Sequence, residues 1–354
     1  MDILVFGAGA VGGYLGCRLA DAGHTVTLIA RGQAAEAYRM NGLVISEEGY
    51  QISARPKVVQ SLRQAIVGRD TTYDVILFTM KAYDVERALN ELVAFSPSPP
   101  PIITLQNGIG LEEMVINEFG AEQVIAGSLT TPLSHEIYHV IVVEHEDRGL
   151  ALAPTAQDQN IDQFVALFND SGIETTSFQD YRSMKWSKAM LNMVGNATSA
   201  ILNRQPELIY KNQQTFKIER EMLRETLKVM SKLKLKASDL PGVSTARLAF
   251  AIKRLPTSVV QPILTNIVAS GRGNKLPSFH LDLAAGKTSN EVVYHNGAVA
   301  AAAFSMNIPA PVNTALNDIL IKMAQNEIDH EIYNGNPKRL VAEIGKYQKA
   351  DKER

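Results

Sequence analysis

The chain has 354 residues, 45% hydrophobic and 20% charged, with a formal net charge of -2, which describes an ordinary globular protein of about two domains at ~100–200 residues each. Near-neutral charge gives no electrostatic case for nucleic acid or an anionic membrane, no run reaches the ~18 apolar residues of a membrane helix, and the N-terminal stretch, with Asp2 and its glycines, is not expected to be a signal peptide. A single cysteine, Cys17, excludes an internal disulfide and suits a reducing, cytoplasmic setting.

DILVF at the N-terminus reads as a short buried strand. GAGAVGG follows it directly and opens a helical pattern that closes at Gly23, before a second strand, TVTLIA. GxGxxG in this strand-to-helix context is a dinucleotide fingerprint. Gly7 permits the tight turn, Gly9 lets the backbone approach a pyrophosphate, and Gly12 lets helix and strand pack closely, while the helix N-terminus offers N–H groups to the phosphates. Gly7, Ala8, Gly9, Ala10, Val11 and Gly12 are therefore the candidate phosphate-binding residues. An NAD enzyme usually carries an acid at the end of the second strand, whereas Arg31 stands here. A guanidinium pairs with a 2′-phosphate, so NADPH is the expected cofactor. A solvated loop arginine is the alternative.

LVIS and YQISA, on either side of EEG, read as a hairpin. YDVILFTM and PIITLQN are further strands, each followed by helical sequence, and this alternation predicts a doubly wound parallel sheet with ligands at the strand C-terminal ends. Lys81 and Asn107 sit at such ends, although Asn107-Gly108 is also ordinary turn chemistry. HEIYH, residues 135–139, matches the HExxH zinc motif, which requires a helix. It follows Pro132 and runs into β-branched sequence, so a strand is expected, with its two histidines ~13 Å apart at ~3.3 Å per residue. No catalytic metal is predicted. A helix over QDQNIDQFVALFND and a strand over IETTSF close this half.

The expected fold is thus a Rossmann-like α/β domain over residues 1–180 and an all-α domain over 181–354. In KAMLNMVGN, Lys188, Asn192 and Asn196 recur every four residues and form one polar stripe on a helix. Such a stripe among apolar residues calls for water or a polar ligand, the bland alternative being a solvated face. QTFKIEREMLRETLKVMSKLKLK is a long amphipathic helix. TARLAFAIKRL and TSVVQPILTNIVASG are shorter helices, GRGNKLPS a loop, and TSNEVVYHNGAVAAAAFSM and VNTALNDILIKMAQ are helical again.

With GAGAVG, Lys81, QNG at 106–108, KAMLNMVGNATSA, PSFHLDL at 277–283 and NEVVYHNGA at 290–298 in this order, the sequence resembles the ketopantoate reductase family from residue 1 to about residue 325. The resemblance implies NADPH-dependent reduction of a 2-oxo acid, 2-dehydropantoate to (R)-pantoate in pantothenate biosynthesis. It implies Lys188 as the catalytic lysine and Glu291 as the glutamate that supports it. Asn192, Asn196 and Ser278 become substrate-binding residues, and Asn107 lies at the junction of cofactor and substrate. Lys81, Asn107 and Glu291 join the cofactor set.

Three departures bear on the substrate. Extra length lies between about residues 236 and 277, Val293 replaces a common acid, and the spacing from Gly286 to Glu291 is one residue longer. A different 2-oxo acid, or the substrate of a related hydroxy- or amino-acid dehydrogenase, is therefore an alternative. A non-catalytic NADPH sensor is another, but a sensor has no use for a proton-donating lysine. The expected partners are a small-molecule substrate and, as a homodimer, a second copy of the chain.

Overall fold

The computed structural model describes residues 1–68, 72–145, 147–272 and 276–353. The chain forms two compact units, Met1–Lys185 with Leu240–Val243, and Trp186–Asp239 with Ser244–Arg354.

In chain order, the first unit contains β1 (Asp2–Phe6), α1 (Ala10–Asp21), β2 (Thr25–Ile29), α2 (Gly32–Asn41), β3 (Leu43–Glu47), β4 (Tyr50–Ala54), β5 (Lys57–Val59) and α3 (Leu62–Ile66). There follow β6 (Val75–Phe78), α4 (Val85–Phe95), β7 (Ile102–Thr104), α5 (Leu111–Phe119), β8 (Val124–Leu129), β9 (Leu133–Ile137), β10 (Val140–Val143), β11 (Leu150–Pro154), α6 (Asp162–Asp170) and β12 (Thr175–Ser177). Helix α7 (Tyr181–Met193) begins in this unit and continues in the other.

The main sheet has the order β12-β11-β8-β7-β6-β1-β2-β5. It is parallel from β5 to β8, because each strand there is reached through a crossover. β11 returns antiparallel to β8, since a hairpin rather than a crossover helix separates them. Its central strands are continuous apolar runs, VILF in β6 being fully buried, as a sheet covered on both faces requires.

A second sheet runs β4-β3-β10-β9. The hairpin expected over residues 43–54 is present, and the HEIYH segment joins it through β10, which pairs parallel to β3. His135 lies in β9 and His139 in the turn before β10, so the segment is strand and turn, as its β-branched context predicts. Helix α1 packs between the sheets. A Cβ on Gly13 would stand 2.6 Å from the Ile141 side chain, and one on Gly16 2.7 Å from Leu28. Small residues are needed on both faces.

The second unit is helical: α8 (Ala197–Leu202), α9 (Pro206–Lys211), α10 (Gln213–Lys232), α11 (Thr245–Arg254), α12 (Thr257–Arg272), α13 (Ser278–Ala284), α14 (Asn296–Ser305), α15 (Pro311–Ala324) and α16 (Pro337–Lys352). Asn212 caps α10 by accepting from the Gln214 and Thr215 amides. The buried Glu225 carboxylate of α10 caps α15, accepting from Val312 and Asn313 amides at 2.9 Å each. The predicted loop over GRGNKLPS is narrower than expected, because α12 continues to Arg272, and its residues 273–275 lie outside the described residues. Among the described residues, no helix is long and apolar enough to cross a membrane.

One expectation is corrected. Lys188, Asn192 and Asn196 do not share a helix: α7 ends at Met193, Gly195 adopts φ +60°, and Asn196 stands at the N-cap of α8. The four-residue spacing fits a helix, but the left-handed glycine ends it.

Candidate active site

In the first unit, Ile29, Phe6, Phe78 and Thr104 are register partners across β2, β1, β6 and β7. The turns that follow these strands therefore line one edge, ~14 Å across three strand spacings. The chain leaves β1 toward β2 on one side and later returns to β6 on the other, which makes this edge the switch point where open α/β sheets bind ligands.

The turn after β1 is locked against the turn after β6. Thr79 Oγ1 donates to the Gly7 carbonyl at 2.6 Å and the Phe6 carbonyl at 3.2 Å. Gly7 has φ +112°, and a Cβ there would collide with the Met80 amide. A Cβ on Gly12 would collide with the Gly7 carbonyl, so the helix can start this close to the strand only with glycine. Ala8 is pinned by its amide to Ile29 O at 3.1 Å and by Tyr38 Oη donating to its carbonyl at 2.9 Å. Gly9, the exposed N-cap of α1, has open space where a Cβ would be. The first-turn amides of Ala10, Val11 and Gly12 at this helix N-terminus are donors of the kind that a pyrophosphate takes.

Arg31 follows β2, about half exposed, with its guanidinium 3.5 Å from Glu91 on α4. Lys81 is exposed after β6, and Asn107 is half-buried after β7, before Gly108 at φ +117°. Sequence reasoning passed over the groups beneath this edge. Lys185 in the first turns of α7 forms a buried ion pair with Glu112 of α5 at 2.9 Å and donates to the Gln106 carbonyl at 2.7 Å. Thr79, Tyr38, Lys185 and Glu112 are unremarkable in sequence, and their partners lie far away along the chain.

In the second unit, Lys188 and Asn192 are half-buried on α7, while Asn196 is buried. Asn196 Nδ2 donates to Asn192 O at 3.1 Å and to Ser278 Oγ at 3.4 Å, and its Oδ1 accepts from the Phe279 amide at 3.1 Å. The structure thus brings Asn192, Asn196 and Ser278 together. Ser278 itself is exposed at the start of α13. Glu291 is buried in the 3-10 turn Glu291–Tyr294, where Asn290 Oδ1 accepts from Val292 N and His295 Nδ1 is 2.9 Å from Glu291 O.

The break between α7 and α8 is held by Glu219, read in the sequence only as a helix charge. Its carboxylate accepts from the Gly195 amide at 2.8 Å, from Tyr210 Oη at 2.8 Å and from Thr198 Oγ1. The Lys188 ammonium, the Asn192 amide and the Ser278 hydroxyl, on one unit, are donors of the kind that a carboxylate and a developing oxyanion take, while the Asn196 amide spends its two N–H groups on Asn192 O and Ser278 Oγ. Among the described residues, no group of three or more His, Cys, Asp or Glu side chains is arranged for a metal.

Residues 3–150 match the family described as Ketopantoate reductase PanE/ApbA, and residues 180–324 match Ketopantoate reductase PanE/ApbA C terminal. Over 232 residues the chain is 32% identical to the 2-dehydropantoate 2-reductase of Pyrococcus horikoshii, covering 65% of this chain and 73% of that protein. Its fold is similar to that of a PanE/ApbA family ketopantoate reductase from Ralstonia eutropha JMP134, with a TM-score of 0.76 and 22% identity over 92% of this chain and 99% of that one. D-mandelate dehydrogenase with NADH and anilino(oxo)acetate shares the fold equally, with a TM-score of 0.76 and 19% identity over 92% of this chain and 99% of that one. Matched in both its α/β and its helical half, the chain belongs to the ketopantoate reductase family and is an oxidoreductase of the 2-oxo acid reductase type.

Proposed function

We propose that the protein reduces a 2-oxo acid to the 2-hydroxy acid with NADPH, and that 2-dehydropantoate, yielding (R)-pantoate, is its substrate in pantothenate biosynthesis. The observation that carries this reading is the grouping of Asn192, Asn196 and Ser278 on the unit that bears Lys188, in a chain matched to the family in both halves. The P. horikoshii relative, named a 2-dehydropantoate 2-reductase, supports the choice of substrate.

The reduced nicotinamide, when bound, supplies the hydride. The residues at the sheet edge hold that cofactor: the Gly7–Gly12 turn takes the pyrophosphate, Arg31 the 2′-phosphate, and Lys81 and Asn107 the remaining polar groups. To bind the phosphate, Arg31 exchanges a long contact to Glu91 for a charge-assisted pair. Asn192 and Ser278 donate to the substrate carboxylate and hydroxyl, and Asn196 joins them by exchanging its long bond to Ser278 Oγ for one to the substrate. Lys188 directs its ammonium at the C2 oxygen and gives up a proton as negative charge develops there. Glu291 favours the charged lysine before transfer and contributes to the cofactor side.

The test is NADPH consumption across a panel of 2-oxo acids that includes 2-dehydropantoate. Turnover with 2-dehydropantoate well above that with the others is the expected result, and failure of every 2-oxo acid sinks the reading. One observation favours a second substrate: Val293, where an acid is common, is an exposed apolar residue, and the longer segment before residue 277 builds α11 and α12. Those features make a different 2-oxo acid the second reading. We place the enzyme in the cytoplasm, as a homodimer to be checked by light scattering.

A further inference from the structure

Lys185 and Glu112 are 2% and 1% exposed, the most deeply buried ion pair among the described residues. Charged side chains are almost never buried unless paired, and a buried pair is a poor device for stability alone, because desolvation offsets the attraction. The hydrogen bonds of this pair show what else it does. An ammonium has three donors, and Lys185 places them on Glu112 Oε1 at 2.9 Å, Gln106 O at 2.7 Å and Gly127 O at 3.2 Å. Glu112 in turn accepts from Thr104 Oγ1 at 2.9 Å.

Two of those acceptors are main-chain carbonyls, Gln106 just past the end of β7 and Gly127 within the neighbouring β8. The Gln106 carbonyl shares one rigid peptide plane with the Asn107 amide. Fixing the carbonyl fixes the direction in which Asn107 leaves β7. The Gln106 side chain adds a tie to the β6 turn, its Nε2 donating to Met80 Sδ at 3.1 Å.

We propose that Lys185 is a positioning residue of the reaction: held by Glu112, it sets the 106–107 peptide so that Asn107 meets cofactor and substrate in a fixed orientation. This rests on the role given to Asn107 in the proposed function. An apolar pair of the same volume would fill the space and leave the carbonyl unheld.

Lys185→Met alone strands the Glu112 carboxylate, so the variant to make is Lys185→Met with Glu112→Gln. If that chain does not fold, Lys185→Arg keeps the charge but replaces the adjustable ammonium by a larger, planar fork whose donors point elsewhere. With NADPH and the best 2-oxo acid, kcat/KM is expected to fall at least ~10-fold, the scale of a modest misplacement. Asn107→Ala, costly in the native background, is expected to cost less than ~3-fold more in the exchanged one, because the two act through one group. Hydrogen exchange of the segment 105–110 should quicken.

Equal cost of Asn107→Ala in both backgrounds overturns the proposal alone, as does unchanged exchange in 105–110. A harmless Asn107→Ala in the native background sinks the role of Asn107 and this proposal with it.

Discussion

Cys17 shows how far one side chain's surroundings decide its chemistry. It is fully buried on α1, and burial pushes its thiol up to about 12. The thiolate is the reactive form, so the folded protein should show no titratable thiol at about pH 8 and one after denaturation. A rapidly labelled native thiol would contradict this. Arg31, by contrast, is half exposed and makes a long contact to Glu91. Arg31→Ala should weaken NADPH by ~1.5–3 kcal/mol, about 10- to 150-fold in Kd, and leave NADH nearly unchanged. Equal losses for both cofactors, measured by titration, would show that Arg31 does not read the 2′-phosphate. For Lys188, replacement by Ala should slow turnover by at least ~10²-fold with NADPH affinity almost intact. Glu291→Gln should cost less, since an amide keeps a hydrogen bond but not the charge. Near-normal turnover of the lysine variant would remove it from the mechanism.

Between neighbouring helices the decisive residue is Gly195, whose φ of +60° separates α7 from α8. A Cβ there would lie 3.0 Å from Pro206 Cβ, and a left-handed backbone costs an L-residue ~1–2 kcal/mol. Gly195→Ala should lower unfolding stability by about that amount and raise KM for the 2-oxo acid, because Asn196 follows at once. An unchanged denaturation midpoint would show that the break carries no strain. The same residue marks a limit of sequence reading. Strands, the glycine turn and the helices of the second half were legible because their signals are local: apolar runs, period-3.6 patterns, Gly and Pro stops. The stripe 188, 192, 196 was legible as a set of polar residues but not as two helices, since periodicity does not report a single left-handed residue. Lys185 and Glu112 were not legible at all, because the 72 residues between them say nothing about pairing. Nor was the partnership of β3 with β10, which joins two hairpins almost a hundred residues apart.

At the scale of the whole molecule, global stability should carry the mark of Glu225. Burial pushes its carboxyl up to about 7, against the pull of the Val312 and Asn313 amides and the Asn313 side chain that donate to it. Because the folded state binds this proton more tightly than the unfolded chain, the contribution is complete below the ordinary carboxylate range and is lost as pH rises through about 7. The difference corresponds to at most ~3 kcal/mol. Denaturation midpoints should therefore fall between about pH 5 and pH 8, and Glu225→Gln should flatten that slope. A wild-type slope that persists in the variant assigns it to other groups.

The return of Leu240–Val243 to the first unit has a different kind of consequence. Thr130 Oγ1 donates to Pro241 O at 2.8 Å, and Gly242 is seated where a Cβ would collide with Asp147 O. The polypeptide therefore passes from one unit to the other at 185–186, 239–240 and 243–244. In topological terms the halves are laced rather than strung. A fragment cut at residue 185 lacks a piece of its own unit, and no single proteolytic nick yields two complete parts. Limited digestion should accordingly leave nicked chains co-migrating under native conditions and separating only in denaturant.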